Sequence, residues 1–219
     1  LLRPDRIAYY SYAHVPWVKP GQRSYSKADL PADSEKRSLY EYGKCVLMQM
    51  GYEDVGMDHF ALPNDKLNIA AKNGRLNRNF MGYTTDHSKL LIGLGVSAIS
   101  DAANGYAQNV KKVEEYLKLV AKDELPLLKG HFLNNEDALF KSIILNLTCR
   151  NQADLSGLEN HEKWNDILND LIEMQKEGLI EMNASVIQIT SRGKVFLRNI
   201  CSLFDLYLRK VNSTKGVFS

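Results

Sequence analysis

Residues 74–100 read GRLNRNFMGYTTDHSKLLIGLGVSAIS, a polar, aromatic loop that passes into an apolar, glycine-containing run. Arg78, Asn79, Phe80, Tyr83, Thr84 and Thr85 offer hydrogen bonds and ring faces, whereas Leu90 to Val96 has the composition of a buried strand. A loop of this kind at a strand's end is where α/β proteins place ligands, so the stretch bears on both fold class and site.

Upstream, Arg6 to Tyr12 (RIAYYSY) alternates and is rich in aromatics, which predicts a strand delivering Ala13-His14-Val15-Pro16 at its end. Asp33 or Ser34 can cap a helix carrying Leu39, Tyr42, Val46, Leu47 and Met50 at helical spacing and stopped by Gly51. Asp54 to Phe60 (DVGMDHF) then reads as a second strand, and strand, helix, strand is the parallel βαβ repeat. A short helix is expected near 65–73, a third strand near 89–96, and a helix capped by Asn109 with Val110, Val113, Leu117 and Val120 as its stripe. Three parallel strands neither close a barrel nor complete a sheet, so partner strands upstream or a second copy are expected.

From Pro126 the pattern changes. A helix capped by Asn134 or Asn135 is followed by a polar loop from Asn151 to Asn160 and a second helix ending at Gly178. A hairpin through Asn183-Ala184-Ser185 and a last helix over Val195 to Tyr207 complete a winged-helix-like plan. The expected division is therefore 1–125, α/β, and 126–219, mostly α.

The 219 residues carry a net charge of +2 with 25% charged residues, so composition makes no case for nucleic acid or an anionic membrane. No apolar run has the length of a membrane span and no signal-peptide pattern opens the chain, so a cytoplasmic protein is expected. The first residue is Leu rather than Met, from which upstream material is expected. Cys45, Cys149 and Cys201 are far apart in apolar helical patterns, lack the close pairing that metal or redox work needs, and read as ordinary buried thiols.

Four groups of residues stand out as candidates. His14 and His59, the latter beside Asp58, fall where strands are expected to end and could transfer protons or hold a carboxylate. Arg78, Phe80 and Tyr83 suit a flat, carboxylated ligand, because a guanidinium forks a carboxylate and rings supply flat apolar area. Gly93-Leu94-Gly95-Val96-Ser97-Ala98 matches a dinucleotide fingerprint in form only, since Gly105 interrupts the helix that motif requires. The helix before the expected wing carries Glu159, Glu162, Asp166, Asp170, Glu173 and Glu177 against Lys163 and Lys176, a face that DNA repels.

The order YAHVP, GYEDVGMDHFALP, RNFMGYTT, GLGVSAIS, YAQN and ITSRGKVFLRNICSLFDLYL closely resembles the oxygen-independent coproporphyrinogen III oxidase family, across its C-terminal half. The resemblance implies the later part of a partial (β/α) radical S-adenosylmethionine (SAM) barrel followed by the winged-helix-like domain. It also implies a heme-biosynthesis enzyme that uses SAM and a [4Fe-4S] cluster to turn two propionates of coproporphyrinogen III into vinyl groups, giving protoporphyrinogen IX. An electron donor and an electron acceptor are implied without being identified. By position, Ile99 matches a SAM contact and Ala13 a contact to a second SAM. The family's C-x-x-x-C-x-x-C cluster motif does not occur here, so these residues alone are expected to be inactive, to need the N-terminal half, and to self-associate. His14, His59, Arg78, Phe80 and Tyr83 are substrate-side candidates on their chemistry alone. The rival reading is a non-enzymatic heme- or nucleic-acid-binding winged-helix module.

Overall fold

In the computed structural model, which describes residues 2–102 and 104–209, the chain divides into two units, within Leu1–Asn73 and Gly74–Ser219. The first unit contains β1 (Arg6–Ala8), α1 (Asp33–Gln49), β2 (Glu53–Gly56), β3 (His59–Ala61) and α2 (Lys66–Lys72). The expected strand over Asp54 to Phe60 is instead a hairpin. Met57 and Asp58 both take positive φ, 40° and 69°, and reverse the chain between Gly56 and His59. Two successive positive φ values form the tight turn that matches strand twist, but Met-Asp lacks the usual Asn-Gly signature. A tertiary contact supports the turn, since the Tyr40 hydroxyl donates to Asp58 Oδ1 at 2.8 Å.

As a result β3 sits between β1 and β2, antiparallel to both, in the order β1-β3-β2. β1 and β2 run the same way, as a strand–helix–strand unit requires, but they do not pair. The small core holds Tyr52, Phe60, Leu67 and Ala70. Asp65 caps α2 by accepting from the Leu67 N–H at 2.7 Å, and Arg6 holds that carboxylate from β1. The stripe expected on α1 is only half inside: Val46 and Leu47 are half-buried, while Leu39 and Tyr42 are exposed.

The second unit opens with a hairpin of β4 (Asn77–Asn79) and β5 (Gly82–Thr84), followed by β6 (Leu90–Leu91), β7 (Ile99–Ala102) and β8 (Gly105–Asn109). After α3 (Val113–Val120), β9 (Leu127–Phe132) completes an antiparallel sheet in the order β6-β7-β8-β9. Every strand pair among the described residues is antiparallel, which corrects the expected parallel pairing. The third strand also stops early. Beyond Leu91 the backbone leaves the ladder, because the Asn109 amide donates to the Gly93 and Gly95 carbonyls at 3.1 and 2.8 Å. Ile92 and Leu94 are consequently exposed rather than buried. Asn109 is not a helix cap either; it ends β8, and α3 begins only after Lys112. β9 lies past residue 126 and pairs with β8.

α4 (Asn135–Arg150) matches expectation, with Asn134 as cap and Asp137 closing a capping box. It buries Phe140, Ile143 and Leu147 and ends on Asn151 in the left-handed conformation, φ 57°. β10 (Gln152–Asp154), α5 (Trp164–Lys176), β11 (Ile180–Asn183), β12 (Val186–Ile189) and α6 (Leu197–Ser202) follow. The hairpin β11–β12 turns at Ala184 as expected, whereas β10 occupies the start of a segment that reads as polar loop. β10 joins the sheet as β10-β12-β11 because Ala153 and Leu155 alternate inward, an apolar pattern too short to register in sequence.

Candidate functional site

In the C-terminal unit, β4, β7, β8, β9, α4 and the residues after α6 enclose a cleft of about 460 Å³. Phe80, at the tip of the β4–β5 hairpin, is half exposed and meets the Tyr106 ring edge-on at 5.0 Å. Asp101 on β7 and Tyr106 on β8 are cross-strand partners, and Lys141 reaches both from α4. Its ammonium lies 3.1 Å from Asp101 Oδ1 and 4.6 Å from the Tyr106 ring centroid. Burial works against that charge, but bonding to Tyr106 and Asp101 outweighs it and holds the lysine above its ordinary value.

Arg78 and Tyr83 face each other across β4 and β5, with the guanidinium carbon 4.8 Å from the Tyr83 ring centroid. Arg78 Nη1 is buried and has no hydrogen-bond partner among the described residues. Tyr83 is buried and donates to the Thr148 carbonyl at 2.7 Å. Burial pushes its phenol well above the usual range despite the nearby guanidinium, so Tyr83 supports Arg78 from behind and does not line the cleft. At the far wall, Asp137 accepts from the Asn134 N–H and the Tyr207 hydroxyl and sits 3.1 Å from His131 Nε2. Desolvation raises that carboxyl, but these bonds together hold it below the usual carboxylate range.

Ile99 stands on β7 two residues before Asp101 and therefore on the same face of the strand. Its backbone is in close contact with Gly93, where an added Cβ would lie 2.8 Å from the Ile99 carbonyl oxygen. The glycines at 93 and 95 thus serve a loop folded back on β7 and do not open a nucleotide-binding helix.

The N-terminal unit has its own cavity of about 830 Å³, lined by Tyr9, Tyr12, His14, Lys36 and Tyr40 among others. His14 lies 5.4 Å from the Tyr25 ring, and its Nδ1 is buried without a hydrogen-bond partner among the described residues. Ala13 is exposed, and its carbonyl accepts from Gln22 Nε2 at 3.1 Å. His59 does not line this cavity; its Nδ1 is 2.9 Å from the Met57 carbonyl, within the β2–β3 turn. Of the substrate-side candidates, Arg78 and Phe80 therefore share one cleft and His14 lines another cavity, while His59 and Tyr83 are engaged in structure.

Sequence reasoning missed Asp101, Tyr106 and Lys141. Asn104-Gly105 is a hairpin signal that would have paired the segment around Ile99–Ala102 with the following strand, though with Asp101 opposite Gln108 rather than in the observed register, where Asp101 faces Tyr106. Nothing in the sequence marks Lys141, a half-buried residue of α4 beside Phe140, Ile144 and Leu145 in the cleft lining. The thiols also differ from expectation, since Cys45 is exposed while Cys149 is buried and Cys201 half-buried. Burial raises both C-terminal thiols, Cys201 to about 12. Among the described residues, no helix is long and apolar enough to cross a membrane.

No family model matches the chain. It is 37% identical over 217 residues to oxygen-independent coproporphyrinogen III oxidase of Escherichia coli strain K12, covering 95% of the chain and 47% of that protein. The protein of the same name from Synechocystis is 35% identical over 230 residues, covering 100% of the chain and 49% of the relative. Among solved structures, coproporphyrinogen III oxidase (HemN) from Escherichia coli, described as a radical SAM enzyme, superposes with a TM-score of 0.84 at 37% identity. That match covers 94% of this chain and 49% of the other. The chain spans about half the length of the curated relatives it matches.

Proposed function

The chain is a homologue of oxygen-independent coproporphyrinogen III oxidases and matches their C-terminal half, and from that premise we propose that it forms the substrate-facing part of such an enzyme. The reaction is the oxidative decarboxylation of two propionates of coproporphyrinogen III to vinyl groups, giving protoporphyrinogen IX without oxygen. Each propionate loses one hydrogen atom, carbon dioxide and one electron. SAM with a [4Fe-4S] cluster would supply the hydrogen-abstracting radical, and a further acceptor would take the electron.

This chain's own residues do not fit the cluster. No trio of His, Cys, Asp or Glu gathers among the described residues, and the C-terminal thiols are raised by burial, the reverse of what thiolate ligands need. No step is therefore assigned to a cluster held here. Ile99 and Ala13 offer small or apolar surface suited to an adenosine, and Ile99 shares its strand face with the cleft residue Asp101. Residues 1–125 are read as later units of a radical SAM barrel and 126–219 as the appended helical, winged-helix-like domain. The substrate would lie in the C-terminal cleft.

The observation that carries this reading is the presence, in the lining of one cleft, of the Arg78 side chain and the Phe80–Tyr106 ring pair. Together they suit a flat macrocycle bearing carboxylates. The test is an anaerobic assay of the protein as expressed from its own gene, given SAM, a reductant and coproporphyrinogen III. The expected product is lighter by two molecules of carbon dioxide and four hydrogens, two vinyl groups standing in place of two propionates. Recovery of unaltered substrate, with a curated relative active in parallel, would reject the assignment.

A further inference from the structure

We propose that Lys141 and Arg78 form a two-cation clamp that takes one propionate carboxylate of the ligand, with Phe80 and Tyr106 against the ring that carries it. The inference rests on the cleft being the porphyrinogen site and adds the residues that select for charge.

Lys141 is oriented before any ligand arrives. Asp101 accepts from its ammonium at 3.1 Å and the Tyr106 ring faces it at 4.6 Å, so side-chain freedom is already lost. An ammonium has three donors, and bonding to Asp101 and Tyr106 leaves capacity for an incoming carboxylate. Arg78 is likewise oriented, stacked on a Tyr83 ring that its own hydroxyl pins to α4. Its buried Nη1 is a donor without an acceptor, and a buried unmade bond to a charged group is costly. Arg78 lines the cleft, and a turn of its guanidinium toward that lining would let a carboxylate oxygen satisfy Nη1. Guanidinium and ammonium together recognise a carboxylate by fork geometry and by point charge.

The acids near the cleft do not cancel this preference. Asp101 is paired with Lys141, and Asp137 is engaged by Asn134, Tyr207 and His131. Asp205 accepts from the Leu208 N–H at 2.9 Å. Arg78, in contrast, has no acidic partner among the described residues.

The test uses coproporphyrin III, the stable oxidised ring with four propionates, and its tetramethyl ester, which keeps size and shape but has no charge. Fluorescence titration of the unmodified chain is expected to show the acid binding at least about ten-fold more tightly than the ester. Lys141→Met and Arg78→Met should each weaken the acid by about ten-fold or more while leaving the ester unchanged, which also reports that the cleft is still folded. Lys141→Arg should restore most of the preference. Equal affinity for acid and ester in the unmodified chain overturns the clamp while leaving a ring-binding cleft in place. An acid-to-ester ratio that survives both Met substitutions overturns it too. Failure to bind either porphyrin removes the porphyrinogen reading together with the clamp.

Discussion

Asn109 shows how one side chain can set a whole loop. It is 5% exposed, and its amide holds two glycine carbonyls that would otherwise continue β6. Asn109→Ala leaves those carbonyls unpaired, with an expected loss of about 1–3 kcal/mol. A urea midpoint that does not move, together with unchanged amide exchange over residues 93–97, would show that the loop needs no such support. In sequence Asn109 reads equally well as a helix cap, because an amide that accepts from a helix N–H and one that donates to distant carbonyls look alike. Tyr83 and Phe80 make the same point. Both read as ligand-facing rings, but the chain reverses at Phe80-Met81, so β5 carries Tyr83 inward toward Thr148 while Phe80 stays at the tip.

At the level of elements, α4 was legible because its signals are local. Asn134 and Asp137 cap each other within one turn, and Asn151 ends the helix at positive φ. Asp137 also links this cap to His131 and Tyr207, which gives the helix start a pH dependence. Its carboxyl is held below the ordinary value, so its contribution to stability is complete above the unfolded carboxylate pKa of about 4 and is lost as pH falls through the folded value. Urea denaturation between neutral and acid pH should show this loss, and Asp137→Asn should show a shallower acid dependence. An identical acid slope in both proteins would mean that the cap does not report Asp137. The strands were less legible: β2 and β3 hide a turn inside an apparently continuous run, and β10 has too few residues for alternation to register.

At the scale of the whole molecule, much apolar surface faces solvent among the described residues. On α3, Val113, Leu117 and Val120 form one stripe at helical spacing and all three are exposed, and Ile92, Leu94 and Phe132 of the same unit are exposed as well. Surface of this kind ordinarily marks a contact, so the isolated chain is expected to self-associate with rising concentration. Light scattering should show the apparent mass climbing, and Leu117→Lys with Val120→Lys should suppress the rise; a constant monomer mass at high concentration would count against it. Sequence alone determined α4 with its Asn134 cap, the β11–β12 hairpin and, through segments such as RNFMGYTT, the relatives this chain matches, because each of those signals lies within a few neighbouring residues; the caps expected at Asp33 or Ser34 and at Asn109 were not formed, α1 starting after Ala32 without a side-chain cap. Which strands pair, that the pairing is antiparallel, that Lys141 reaches Asp101 across the cleft and that Arg78 is left with an open donor were decided only by tertiary structure. Those contacts join residues separated by tens of positions, and their energies depend on which partners the fold brings within reach.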